Sequence, residues 1–272
     1  MLDALSLPIL LQDSLARTGR LIMPSITFAG VFLAATVFLF WGAGALPEGG
    51  VGSVAFFGLA AAWLFSHSLF SVSMYHAVLP RERPALATAW KLTLAWLLIV
   101  VVAAIGATMI ILFFSLIGAS LGVVTGAPGE EITDMTAQMR ASGTFWPLFA
   151  VFVMTLFALF WFAVRMMLFA AATSSRGTVH VFRTWYWTKG AFATLAPAMV
   201  ALVAVPVTGL SFFGYAIANI ILGIPETGLE TGLFAGIVML VTVPSAWLGH
   251  GFAAASFAAL AVDAVDQEIT PA

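Results

Sequence analysis

Residues 92–124 read LTLAWLLIVVVAAIGATMIILFFSLIGASLGVV, a run without a single charged side chain. A helix needs about 20 apolar residues to cross the hydrocarbon core of a bilayer, so this run is long enough to span a membrane. Five further runs meet the same criterion. The six predicted membrane helices cover residues 21–46, 51–79, 92–124, 144–173, 191–224 and 232–262.

The composition of the whole chain leads to the same class of protein. Of its 272 residues, 62% are hydrophobic and 8% are charged, and the mean hydropathy is +1.09. Soluble domains carry about 25% charged residues, so a soluble globule is excluded. We predict an all-α polytopic membrane protein that forms one integral membrane domain over residues 1–272. We expect the first apolar run to be a retained helix and not a signal peptide, because it is too long for one.

The distribution of basic residues predicts the orientation of the helices. Lysine and arginine favour the cytoplasmic connections of membrane proteins. Here the connections on one side carry Arg17, Arg20, Arg81, Arg83, Lys91, Arg176, Arg183 and Lys189. Those on the other side carry Glu48, Glu130, Glu131, Asp134, Arg140, Glu226 and Glu230. We therefore expect both termini to be cytoplasmic, in the inner (plasma) membrane of a bacterial cell.

Three short amphipathic segments lie on the predicted cytoplasmic side, at residues 8–20, 84–91 and 180–189. Each combines basic with apolar or aromatic residues, as expected of helices that lie in the plane of the lipid headgroups. We call them the first, second and third elbows. The residues predicted to contact anionic headgroups or a partner are Arg81, Trp90, Arg176, Arg183, Trp185 and Lys189.

The second and third elbows also suggest an internal repeat. A shift of 95 residues places Arg81 on Arg176, Trp90 on Trp185 and Thr93 on Thr188. The unit would be an elbow, a helix, a loop and a returning helix, repeated in one orientation as parallel hairpins. Chance matching in an apolar sequence of low complexity is the alternative.

Three short stretches resemble a known bacterial family. They are YHAVLP at 75–80, ATAWKLT at 87–93 and FRTWYWTKG at 182–190. They are similar to the glycerophosphoryl diester phosphodiesterase membrane-domain superfamily and its stand-alone six-helix relatives. Thr188, Lys189 and Gly190 match the end of that family's elbow, whereas Tyr186 and Trp187 depart from it. The resemblance implies a six-helix inner-membrane protein of poorly defined function. It covers the membrane part only and carries over no catalytic residue.

Ionisable residues inside predicted spans are candidates for a functional site. His67, Arg165 and His250 all lie roughly 24–28 Å from the outer ends of their helices at 1.5 Å per residue. Ser71 and Ser245 lie near the same depth. These five residues, the inner polar cluster, could line a vestibule open to the cytoplasm. The alternative is that Arg165 reaches the headgroups and that each histidine bonds to a backbone carbonyl or a serine.

Two glycine motifs are better explained by helix packing than by chemistry. Residues 118–122 match the G-x-S-x-G pattern around Ser120, but they lie in an apolar helix instead of a strand–turn–helix. Residues 118–122 and 232–236 both match Gly-x-x-x-Gly, which allows helices to approach closely.

Metal and cofactor chemistry have little support in the sequence. The two histidines without a carboxylate at their depth are too few for a metal site. The acidic residues Glu130, Glu131 and Asp134 fit a solvated loop, and their spacing is not that of a calcium-binding loop. The chain has no cysteine, which excludes disulfides and thiolate chemistry. We predict no catalytic residue, metal or cofactor.

We therefore expect a non-enzymatic membrane protein that acts through lipid or membrane-protein contacts, as a scaffold or an assembly subunit. Its partners would be membrane lipids, with anionic headgroups on the cytoplasmic side, and a membrane protein or a second copy of the chain. The net charge of −2 gives no indication of nucleic-acid binding. A small-solute transporter or channel is the second hypothesis, and an intramembrane enzyme is the third.

Overall fold

The computed structural model describes residues 6–47, 49–80, 84–120, 140–141 and 143–269, of which 111, 114–115, 117–120 and 261–269 have a described backbone only. Within these residues the chain is helical and has no strand. The principal helices described are α1 (Leu7–Ala45), α2 (Gly50–Val78), α3 (Ala85–Ser120), α4 (Phe145–Met166), α5 (Phe169–Arg176), α6 (Arg183–Trp187), α7 (Phe192–Met199), α8 (Val205–Leu222) and α9 (Gly228–Ile269).

Six helical stretches among the described residues are long and apolar enough to cross a membrane. They are Leu7–Ala45, Gly50–Val78, Ala85–Ile110, Phe145–Arg176, Phe192–Leu222 and Gly228–Leu260. The prediction of an all-helical chain is confirmed for the described residues, and so is the prediction of six helices long and apolar enough to span a membrane. The predicted limits of the second, fifth and sixth spans agree with the helices to within a few residues.

The first two elbows are continuous with the spans that follow them, which differs from the prediction. Residues 8–20 form the first turns of α1, a helix of 39 residues and therefore about 58 Å long. Residues 85–91 form the first turns of α3. A break at either boundary would expose unpaired backbone groups, whereas the Leu, Ala, Arg and Lys residues there favour continued helix. Gly19 alone costs only about 1 kcal/mol.

The third elbow is separated from the helices on either side of it. Helix α5 ends at Gly177, whose φ of +60° is the left-handed conformation that commonly ends a helix. The five-residue helix α6 follows and is in turn left through Gly190, with φ +86°. Glycine adopts both conformations without the steric cost that a side chain would add.

The fifth span changes helix type between its two prolines. Pro197 lies in α7 and Pro206 at the start of α8, and residues Val200–Ala204 between them form a turn of π-helix. Pro206 has no N–H, and its ring crowds the carbonyl one turn earlier, so the α-helical bond pattern cannot continue unchanged. The two prolines therefore flank a local widening of the helix.

Helices α1 and α9 are antiparallel neighbours that approach closely along a row of glycines. A methyl group added at Gly232 would lie 2.6 Å from the carbonyl oxygen of Val37, and one at Gly236 would lie 2.7 Å from the Val37 side chain. One turn away, a methyl at Gly228 would lie 3.0 Å from the Trp41 carbonyl oxygen. The Gly232–Gly236 motif thus packs α9 against α1, and we call this row the glycine seam.

Two tryptophans hold α1 to its neighbours through the same kind of bond. The indole N–H of Trp63 in α2 donates to Thr36 Oγ1 at 3.0 Å, and that of Trp247 in α9 donates to Ser25 Oγ at 2.9 Å. Both hydroxyls donate in turn to carbonyls of α1 itself. Between these bonds lies the buried core formed by Leu21, Ala29, Phe32, Phe70, Met74 and Val243.

The chain divides into two compact units. The first comprises Met1–Trp96 and Val164–Ala272, and the second comprises Leu97–Ala163. In the second unit, large apolar side chains such as Ile105, Met109, Met154 and Phe157 are at least 60% exposed. Such exposure is unfavourable in water but suits helices surrounded by lipid.

The glycine seam makes a stability prediction. Gly232→Ala should lower the free energy of unfolding by about 1–3 kcal/mol, because the added methyl overlaps the backbone of α1. Gly30→Ala is the matched control, since a methyl at Gly30 in α1 meets nothing within 4 Å. The measurement is thermal unfolding of both variants in one detergent. Equal midpoints would show that the seam is not tightly packed.

Candidate functional site

The fold brings His250 of α9 against Ser71 of α2. The Nδ1 atom of His250 lies 2.7 Å from the carbonyl oxygen of Ala246, and its Nε2 lies 2.9 Å from Ser71 Oγ. A carbonyl can only accept, so we assign the imidazole proton to Nδ1. Nε2 then accepts from the serine hydroxyl. His250 is thereby fully hydrogen-bonded as a neutral ring.

His67 lies one helical turn before Ser71 and is surrounded by aromatic rings. Its ring centroid is 5.1 Å from Phe32, 6.2 Å from Trp63 and 5.3 Å from Trp96. Its Nδ1 is buried and has no hydrogen-bond partner among the described residues. His67 is thus held by ring packing, whereas His250 is held by hydrogen bonds.

The two histidines lie in one aromatic layer. Phe32, which contacts His67, stacks on Phe70 at 5.9 Å, and the Phe70 ring is 6.3 Å from His250. Tyr75 closes the far side, 5.1 Å from the His250 ring. Of the predicted inner polar cluster, the fold therefore gathers His67, Ser71 and His250 in the core shared by α1, α2 and α9.

The other two members of the predicted cluster have different surroundings. Ser245 donates to the Thr242 carbonyl of its own helix at 2.6 Å. Arg165, near the end of α4 and only 7% exposed, has its guanidinium carbon 4.9 Å from the centroid of the Trp185 ring in α6. Arg165 is therefore linked to the third elbow, which the analysis of depth alone did not predict.

The third elbow has an inner and an outer face. Val181, Thr184 and Thr188 are buried, and the Thr188 hydroxyl donates to the Arg165 carbonyl at 3.2 Å. Pointing the other way, Phe182 is 58% and Tyr186 is 76% exposed. Arg183 and Lys189 are exposed with them. We call Phe182, Arg183, Tyr186 and Lys189 the outer elbow face.

Arginine–tryptophan stacking fixes the elbow to the helices before it. Arg165 stacks on Trp185, and Arg176 at the end of α5 has its guanidinium carbon 4.8 Å from the Trp187 centroid. The Trp187 ring also packs against His180 at 6.1 Å and Phe257 at 5.8 Å. Desolvated cation–π pairs of this kind contribute about 2 kcal/mol. The predicted contact residues Arg176 and Trp185 are thus also part of the scaffold.

Polar contacts join the ends of α2 and α5, and the sequence analysis did not identify them. His76 Nε2 donates to the Ser174 carbonyl at 3.1 Å, and Ser175 Oγ donates to the Pro80 carbonyl at 2.9 Å. Lys91 Nζ donates to the Gly177 carbonyl at 2.7 Å. The signal for Lys91 was Gly177 itself, because a glycine at a helix end marks carbonyls that a lysine can cap.

Trp90 and Arg81 complete the predicted contact residues. Trp90 is 58% exposed in the first turns of α3, with its ring 6.4 Å from Phe65. Arg81 lies outside the described residues, as do Arg83, Glu48, Glu130, Glu131 and Asp134.

The backbone of Ser120 is helical, which is not the strand–turn–helix that a nucleophilic serine of the G-x-S-x-G type needs.

Comparison with known proteins returned no match: no family model, curated protein or solved structure matches this chain. In the described part of the chain, no three histidine, aspartate or glutamate side chains group as metal ligands. The interpretation of the site therefore depends on its own geometry.

The Ser71–His250 contact can be tested by mutation. Ser71→Ala should lower the free energy of unfolding by about 1–3 kcal/mol, because it leaves the buried Nε2 of His250 without a donor. Ser73→Ala is the control, since that hydroxyl bonds only to the Phe70 carbonyl of its own helix. Thermal unfolding in detergent measures both. If the two variants melt alike, the contact contributes nothing to stability.

Proposed function

We propose that this chain is a non-enzymatic membrane protein that acts by contact with anionic lipid headgroups, with the third elbow as its contact surface. The observation that carries the proposal is the outer elbow face. Two aromatic side chains and two basic ones are directed outwards from a segment that buried threonines and two arginine–tryptophan stacks hold in place.

The chemistry of this face suits the boundary between hydrocarbon and water. Tyrosine and other aromatic rings are favourable at the depth of the headgroups, and each basic residue near an anionic surface contributes about 1 kcal/mol. A membrane-bound helix of this kind lies in the plane of the bilayer with its apolar side down. The rigid attachment of the elbow means that little conformational freedom is lost when lipid binds.

The orientation belongs to the same proposal. The excess of lysine and arginine in the elbows favours a cytoplasmic position for them and for both termini, in a bacterial inner membrane. The resemblance to the glycerophosphoryl diester phosphodiesterase membrane-domain superfamily supports a role in the membrane without adding a reaction. A membrane-protein partner or a second copy of the chain would use the same exposed face.

A small-solute transporter is the second candidate, and the grouping of His67, Ser71 and His250 favours it. A transport pathway would require water to reach these residues. Phe32, Phe70 and Tyr75 instead pack against the imidazoles at centroid distances of 5.1–6.3 Å. This packing is typical of a core, so the histidine layer supports the transporter less than the outer elbow face supports lipid contact.

Removing the charge of the outer elbow face should weaken lipid retention. In the Arg183→Gln/Lys189→Gln variant, we expect retention of phosphatidylglycerol to fall by roughly tenfold or more, because two favourable contributions of about 1 kcal/mol are lost. Native mass spectrometry of the full-length protein compares bound phosphatidylglycerol with phosphatidylcholine.

Arg140→Gln is the control for net charge. Arg140 is exposed near the start of α4, where it contacts Phe145, and it is not part of an elbow. It should leave lipid retention unchanged. An equal loss in the control and in the double variant would point to a general charge effect and against the outer elbow face.

The orientation can be tested because the chain has no cysteine. With a membrane-impermeant maleimide applied to intact cells, Glu226→Cys should be labelled, since the loop before α9 is expected to face outwards. Lys189→Cys should be labelled only after lysis. The reverse pattern would refute the proposed orientation.

A further inference from the structure

Two basic residues, Lys91 and Arg176, are found at the end of α5, whose last residue is Arg176. Lys91 Nζ donates to the carbonyl of Gly177, the residue that follows Arg176 in the chain. The two residues come from different helices, α3 and α5, and the bond from Lys91 to Gly177 joins α3 to the end of α5. Their shared position at one helix end is therefore a property of the fold and not of the sequence.

Both side chains keep hydrogen-bond donors that the described protein does not use. An ammonium group has three donors, and the bond to Gly177 occupies one of them. The guanidinium carbon of Arg176 lies over the Trp187 ring, and the N–H groups along the edge of the guanidinium are further donors. No described residue accepts a hydrogen bond from that edge.

No described carboxylate is paired with Lys91 or Arg176. Among the described side chains, the carboxylates are those of Asp13, Glu226 and Glu230. Asp13 is paired with Arg17 at 2.9 Å, and Glu230 bonds to the backbone N–H groups of residues 226 and 227. In the described part of the chain, Lys91 and Arg176 thus form a cationic pair without an acidic partner.

We infer that Lys91 and Arg176 form a binding site for a phosphate group. The planar fork of arginine matches two phosphate oxygens, and lysine adds a point charge with rotatable donors. The stack on Trp187 fixes the guanidinium before the ligand arrives, so little side-chain entropy is lost on binding. The phosphate would belong either to a lipid headgroup or to a soluble ion. If it belongs to a lipid headgroup, this inference rests on the proposed function and adds a specific phosphate site to it.

Capping of α5 is the simpler role for Lys91, and it accounts for one bond of the pair. It does not account for the unused edge of Arg176 or for the stacked ring that orients it. The two roles differ in what they predict: a cap affects stability only, whereas a phosphate site also changes ligand binding.

The test compares wild type with Lys91→Gln/Arg176→Gln, both as full-length protein in mild detergent. One measurement is the retention of phosphatidylglycerol over phosphatidylcholine in native mass spectrometry. The other is binding of inorganic phosphate to delipidated protein, followed by ³¹P NMR line broadening. We expect the double variant to lose about tenfold or more in the binding that wild type shows.

The outcomes separate this site from the proposed function. If wild type prefers phosphatidylglycerol and Lys91→Gln/Arg176→Gln keeps that preference, the phosphate site is refuted and the outer elbow face still stands. If wild type shows no lipid preference but binds inorganic phosphate through this pair, the phosphate site stands with a soluble ligand and the lipid function is refuted. Binding of neither probe by wild type refutes both.

The Arg176→Lys variant distinguishes a loss of phosphate binding from a loss of folding. It keeps a positive charge at the end of α5 and should remain folded, which thermal unfolding checks, but it loses the planar fork. We expect its affinity for the bound phosphate group to fall severalfold. Wild-type affinity in Arg176→Lys would overturn the role of the guanidinium fork.

Discussion

The close approach of α1 and α9 is the contact on which the rest of the first unit depends. In hydrocarbon the hydrophobic effect does not drive helices together, so association relies on van der Waals packing and on hydrogen bonds between helices. Gly228, Gly232 and Gly236 provide the packing, because each leaves room for the backbone or a side chain of α1. The Trp247–Ser25 bond provides the second kind of contact further along the same pair. These contacts join α1 and α9, the first and last described helices, without the help of any other helix.

This contact also explains where the histidines lie. Helix α2 is fixed to α1 by the Trp63–Thr36 bond, α9 is fixed to α1 by the glycine seam, and α2 and α9 also meet each other. Ser71 and His250 are the polar groups at that meeting point. A buried polar group in a span is costly unless it is paired, and the pairing here is between two helices that the seam brings together. The partner of His250 is therefore set by the packing of α2 and α9 around α1.

Features that depend on length and composition, such as the membrane spans, can be predicted from the sequence. Contacts that depend on the direction of a side chain around its helix cannot. The six spans follow from apolar runs, and the spacing of Gly232 and Gly236 predicts a packing motif, whose neighbour in the fold is Val37. Depth along the helices was enough to place His67 and His250 together. It was not enough for Arg165, because the rise per residue gives no information about which neighbour a side chain faces. Lys91 was missed for a related reason, since its partner Gly177 belongs to a helix 86 residues away in sequence.

Glycines with positive φ decide whether an amphipathic elbow continues into the next helix or forms a separate element. All three segments are amphipathic, but only the third lies between glycines with positive φ, Gly177 and Gly190. The first contains Gly19, which stays helical, and so the helix continues through it. As a result, Trp90 is exposed on the side of a long helix, whereas Trp185, its equivalent in the proposed repeat, stacks on Arg165. A repeat of hairpins remains a prediction, but its elbows cannot be functionally equivalent. Among the described segments, only the third elbow combines an anchored inner face with an exposed aromatic and basic face, and for this reason we propose it as the lipid contact.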